Sequence, residues 1–130
     1  FIDRVTRLEV SGRVLRSVIE QGLRRDYGLP NFSGVSLTAA LGPPPDATLL
    51  EVSVNGQPLD DHATYSLATG SFTATGGEGY EQLPAHIEIQ LDLSVADAIA
   101  HYINEHSPLA VPPPGRQRML SSTTDLPGDP

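Results

Sequence analysis

Apolar residues along this chain recur at two spacings, every second residue or about every 3.6, and the order in which these alternate is what most limits its fold. In VTRLEV, residues 5–10, Leu8 and Val10 fall on one face and Arg7 and Glu9 on the other, the period of a half-buried strand. Val14, Leu15, Val18, Ile19 and Leu23 then keep helical spacing behind Ser11, a residue type that suits an N-cap. Arg24 and Arg25 are expected in the last turn, where cations complement the helix dipole, with the helix closing near Tyr27-Gly28. Alternation returns at Val35, Leu37, Ala39 and Leu41, ending at the GPPPD turn of residues 42–46, and again at Leu50, Val52 and Val54, at Tyr65 to Thr69, and at Ile87, Ile89 and Leu91. Ser94 through Asp97 form a capping pattern, and Val95, Ala98, Ile99, Tyr102 and Ile103 continue as a helix that Ser107-Pro108 ends. The order β-α-β-β-β-loop-β-α predicts an α+β domain with a mixed, largely antiparallel sheet and two main helices. One domain over residues 1–118 accounts for the pattern, and the polar residues 119–130 are expected to be a disordered tail.

Two short segments depart from both spacings. Asn55-Gly56 is a strong turn signal, because both central positions of a type I′ turn require positive φ. GSFTATGGEGY, residues 70–80, holds four glycines and reads as a loop that bends tightly or brings backbone close to something. The chain has only 4 Tyr and 3 Phe, so Phe72 in this polar setting needs a reason. An aromatic face stacks on a nucleobase for about 1–3 kcal/mol; the alternative is a ring tucked beneath the loop. Glu78 either accepts hydrogen bonds from a hydroxylated ligand or is simply solvated.

The net charge of -8 has the wrong sign for a nucleic-acid polymer or an anionic membrane surface, although a few placed arginines can still hold a single nucleotide. Zero cysteines remove disulfides, thiolate zinc sites and thiol nucleophiles. No apolar run approaches the roughly 18 residues of a membrane span. His62, His86, His101 and His106 lack metal-site spacing, and Asp60-Asp61-His62 reads as the end of a turn before a strand. Nucleophile elbow, P-loop and dinucleotide-binding motifs are absent; the glycines of GGEGY are followed by no lysine.

Three stretches carry a family resemblance. VNGQPLDDHATYSLATGSFTATGGEGY, residues 54–80, resembles the signature of the C-terminal domain of the 5'-nucleotidase family: a V-N-G-x-P-L-D strand and turn, T-Y-x-x-A-T, and an N-F-x-x-x-G-G-D-G-Y loop. TRLEVSGRVLRSVIEQGL, residues 6–23, and HYINEHSPLAVPPPGR, residues 101–116, resemble that domain's first strand and helix and its closing helix. The resemblance implies a substrate-recognising domain whose partner in the same protein is an N-terminal metallophosphoesterase domain with two divalent metal ions. It also implies a nucleoside or nucleotide ligand, no catalytic residue and no metal in this stretch, and a periplasmic, secreted or cell-surface location. By the resemblance, Phe72 is a ring that stacks on the base, beside Gly76 and Gly77, and Glu78 stands where the family has an Asp for the ribose hydroxyls. Ser71 replaces the usual Asn. A second ring falls on Leu29 in one alignment and on Phe32 in another, Phe32 being the better choice chemically, with Tyr27 behind it. The family's substrate arginines and the D-x-H and G-N-H metal motifs have no counterpart here, so this stretch is expected to be inactive alone and to belong to a longer protein. Cyclic-nucleotide phosphodiesterases and thiosulfohydrolases look similar in this region, and a non-catalytic binding module with Phe72 turned into the core is the remaining alternative.

Overall fold

A computed structural model describes residues 2–120. Contacts divide them into two units. One is made by the residues up to Leu15 with His62–Pro112, the other by Arg16–Asp61 with the residues from Pro113 onward.

The first unit is built on strand β1 (Arg4–Ser11), which buries Thr6, Leu8 and Val10 and turns Arg7 and Glu9 outward, as the alternation predicts. At its end the Ser11 hydroxyl accepts the Val14 N–H at 3.2 Å and so caps helix α1 (Gly12–Leu23). The boundary between the units falls inside that helix.

In the second unit α1 buries Val18, Ile19 and Leu23. The helix ends earlier than expected: Arg24 and Arg25 lie beyond it, bonded three residues back to Gln21 and Gly22, and Arg25 adopts a left-handed φ of 62°. The reason is tertiary. The Arg25 guanidinium donates to the Gly42 and Asp46 carbonyls at 3.0 and 2.8 Å, bracing the GPPPD turn, while Arg24 pairs with Asp26 at 3.0 Å.

Strand β2 (Val35–Leu41) runs antiparallel to β3 (Ala47–Val54). Asn55 (φ 50°) and Gly56 (φ 82°) then make the expected tight turn into β4 (Gln57–Pro58), which pairs Val54 with Gln57. Val35, Leu37, Ala39, Ala40, Val52 and Leu59 are the buried apolar residues of this region, the larger ones each contributing about 1.5–3 kcal/mol by leaving water.

Strand β5 (Thr64–Gly70) returns to the first unit, antiparallel to β1 with Leu67 opposite Leu8. The glycine-rich segment after it is not irregular throughout, as expected, but opens on a short helix, α2 (Ser71–Ala74), followed by a 3-10 turn at Gly77–Gly79.

Strand β6 (Ile87–Ser94) lies antiparallel to β1 on the side opposite β5, and helix α3 (Val95–His106) follows, its Asp97 N–H capped by the Ser94 hydroxyl at 3.0 Å. Here the burial expected of the alternating residues is absent. Ile87, Ile89, Leu91 and Leu93 are between 37% and 50% exposed, and Ile99, Tyr102 and Ile103 of α3 are exposed as well. The period reports that one side of β6 is apolar, and the described residues cover that side only in part.

Strand β7 (Gln117–Leu120) closes the second unit by pairing parallel to β2, with Met119 beside Ala39. The fold is α+β as predicted, but two sheets replace the single one, ordered β5-β1-β6 and β4-β3-β2-β7. The expected tail boundary also moves: Met119 and Leu120 belong to β7, Leu120 is buried, and the rest of that tail lies outside the described residues. Among the described residues no helix is long and apolar enough to cross a membrane.

Candidate functional site

The turn that carries Phe72 begins where β5 ends. Gly70, still extended at φ -73° and ψ 157°, takes the N-cap position of α2 and has no side chain with which to cap it. The cap comes from Asp3, 69 residues away, whose Oδ1 accepts the Phe72 N–H at 2.9 Å and the Ser71 hydroxyl at 3.2 Å. That hydroxyl in turn accepts the Arg4 N–H at 2.9 Å. A Cβ on Gly70 would collide with the Asp3 carboxylate, so only glycine leaves room for this arrangement.

Ser71 and Ala74 are buried against β1 and β5, which fixes the inner side of α2 and turns Phe72 outward, 47% exposed. The alternative of a ring turned into the core is therefore overturned. The Thr75 hydroxyl donates to the Ser71 and Phe72 carbonyls at 2.7 and 3.2 Å, and the Gly76 N–H donates to the Thr73 carbonyl at 3.0 Å.

Gly76 is left-handed at φ 104°, a conformation that favours glycine. Gly77 lies directly against the ring: a Cβ there would stand 2.6 Å from the Phe72 carbonyl oxygen and 2.7 Å from its Cε2. Glu78 is exposed and also left-handed at φ 56°. The turn closes on Tyr80, whose N–H donates to the Gly77 carbonyl at 3.2 Å and whose ring is buried. Burial, and then the Glu78 charge, raise the Tyr80 hydroxyl's pKa above its ordinary range.

Phe72, Gly76, Gly77 and Glu78 thus share one short turn of the first unit. The other expected residues belong to the second. Phe32 is half-buried and Leu29 exposed, on the stretch between α1 and β2 that also holds the exposed Tyr27. Arg116 donates to the Phe32 carbonyl at 2.7 Å and Gln117 to the Pro30 carbonyl at 3.0 Å, fixing that stretch to the start of β7. Asp3 went unnoticed in the sequence, where nothing local marks a carboxylate as the cap of a helix so far along the chain.

In the acidic cluster before β5, Asp61 pairs with Arg16 of α1 at 3.0 Å. Among the described residues no three His, Asp or Glu side chains converge as a metal site. A shallow depression of about 440 Å³ between β1, β5 and β6 is lined by Glu9, Ser11, Thr64, His86 and Glu88. It is open and acidic, and the aromatic turn does not line it.

Residues 1–85 match the family described as "5'-nucleotidase, C-terminal domain". The chain belongs to that family. This 5'-nucleotidase C-terminal domain is 35% identical over 85 residues to protein UshA of Escherichia coli, an alignment that covers 63% of this chain and 14% of UshA. Its fold is similar to that of a 5'-nucleotidase precursor from Thermus thermophilus, with a TM-score of 0.80 at 22% identity over 91% of this chain and 25% of that one. It is also similar to that of the sulfate thiohydrolase SoxB of Thermus thermophilus, with a TM-score of 0.69 at 16% identity over 97% and 24%. The matched 5'-nucleotidase C-terminal domain therefore spans a quarter or less of these relatives.

Proposed function

We propose that this chain is the nucleoside-recognising part of a phosphoester hydrolase, with Phe72 as the ring that stacks on the base. The observation that carries the reading is the Phe72 turn itself. A large apolar side chain is held half-exposed on a backbone bonded at both ends, although burying it would stabilise the fold by about 1.5–3 kcal/mol. A rigid, outward ring loses little freedom when a base stacks on it.

Glu78, exposed and in a left-handed conformation, is the proposed acceptor for ribose hydroxyls. Gly76 and Gly77 permit that bend and the close packing against the ring. Phe32 is proposed as the second aromatic contact. Two divalent ions would supply hydrolysis by activating water and steadying the leaving oxygen. The family resemblance assigns them to a metallophosphoesterase domain elsewhere in the same protein. The family resemblance supports a periplasmic, secreted or cell-surface location.

Titration of adenosine into the full chain and into its Phe72→Ala variant tests the reading. A loss of about 1–3 kcal/mol of binding is expected, and unchanged affinity removes Phe72 from the site. Assaying the protein with its metal domain against nucleotides, cyclic nucleotides and thiosulfate esters then reads the substrate class; turnover confined to sulfur esters would overturn the nucleotide assignment.

A further inference from the structure

The ring is only half covered, which raises the question of what fixes its direction. Phe72 sits at the second position of a helix only four residues long, too short to hold its shape through internal bonds. Its N–H is one of those a helix start cannot satisfy internally, and Gly70, at the N-cap, supplies no acceptor.

Asp3 fills that gap in three ways at once. Its carboxylate accepts the Phe72 N–H, it accepts the hydroxyl of buried Ser71, and it occupies the space a side chain at Gly70 would need. Asp3 is itself held, because its carbonyl accepts the Val95 N–H at the start of α3 at 2.7 Å, while the next residue, Arg4, bonds Ser71 through its backbone and Asp92 through its guanidinium. Asp3 thus ties the base of the aromatic turn, through its carboxylate, to the β6-α3 junction, through its backbone carbonyl. Hydrogen bonds to a charged acceptor are among the stronger ones a protein makes. One aimed at the backbone of the recognising residue orients the ring directly.

We propose that Asp3 is a positioning residue for ligand recognition: it does not touch the nucleoside but holds the Phe72 turn in its binding orientation. The proposal rests on the reading of Phe72 as the stacking ring, and the experiment separates the two.

Adenosine is titrated into the full chain and into Asp3→Ala, Asp3→Asn and Phe72→Ala at a temperature where each is folded, and backbone amide exchange is followed in parallel. Asp3→Ala is expected to weaken adenosine binding about tenfold and to speed exchange at the Phe72 amide, while the Leu8 amide in the middle of β1 keeps its protection. Asp3→Asn keeps an acceptor oxygen at the same place and is expected to restore both. Where Asp3→Ala does not fold, Asp3→Glu, which keeps the charge but displaces the carboxylate by one methylene, is expected to show the same losses.

If Phe72→Ala weakens binding while the Asp3 variants leave affinity and Phe72 exchange unchanged, the Asp3 proposal falls and the stacking reading stands. If exchange accelerates equally at Phe72 and Leu8, Asp3 is a general stabiliser and the proposal also falls. If Phe72→Ala itself leaves affinity unchanged, the stacking reading fails and the role of Asp3 with it.

Discussion

Glu9 and Glu88 face each other across β1 and β6, and their encounter has a pH-dependent consequence. A hydrogen bond to Glu88, followed by the Glu88 charge and desolvation, raises the Glu9 pKa, against a smaller opposing pull from Arg7. Arg7 also reaches Glu88, at 4.0 Å. A carboxyl whose folded pKa is raised binds its proton more tightly in the native state, so its stabilising share is fully present below the ordinary glutamate range. That share is lost as pH rises through the raised value. Glu9→Gln is accordingly expected to raise the melting temperature near about pH 7 and to have little effect near about pH 4; equal shifts at both would refute a shared proton. The candidate site can be judged at the same scale. Phe72 was legible in the sequence because aromatics are scarce and glycines cluster around it, and the resemblance added Glu78. Asp3 was not, since its role exists only once β5 lies beside β1 and brings Phe72 back to the chain's first residues. Ser71, a departure from the family's usual Asn, is the buried hydroxyl that links Asp3 to Arg4.

Among the elements, those encoded locally were the most readable. Asn55-Gly56 formed the expected turn because its signal is a backbone requirement of the two residues themselves, met at φ 50° and 82°. Gly56 has no neighbouring atom that a new Cβ would meet, so Gly56→Ala tests the backbone alone. It is expected to cost about 1–2 kcal/mol in urea denaturation, and a neutral result would mean that the turn relaxes to another type. The end of α1 was misread because its determinant is not local: two arginines suit a last turn, but Arg25 gains more by leaving the helix for the Gly42 and Asp46 carbonyls. Strand β7 was missed for the same reason, being a short segment defined by its pairing with β2.

At the scale of the whole molecule, the apolar side of β6 and α3 is the main departure from a chain that buries what its periodicity marks. Ile89 and Ile99 are 50% and 54% exposed, and exposed apolar surface, where it is large enough, binds hydrophobic dyes and promotes association. Replacing both with lysine is expected to reduce dye binding by the full chain while changing its unfolding free energy by no more than about 0.5 kcal/mol per site. A loss of about 2 kcal/mol or more would show that the face is packed in solution. Fold class was readable from the order of periods, whereas the division into two sheets was not, because alternation within a strand does not name its neighbour. That division also governs how the polypeptide can be dissected. Each unit is assembled from two separate stretches of sequence, and the chain crosses between them three times, first inside α1 and then after Asp61 and after Pro112, so no single cleavage releases either one whole. Anyone wishing to study the aromatic turn in isolation would have to remove residues 16–61, bridge Leu15 to His62 with a linker, and end the chain near Pro112.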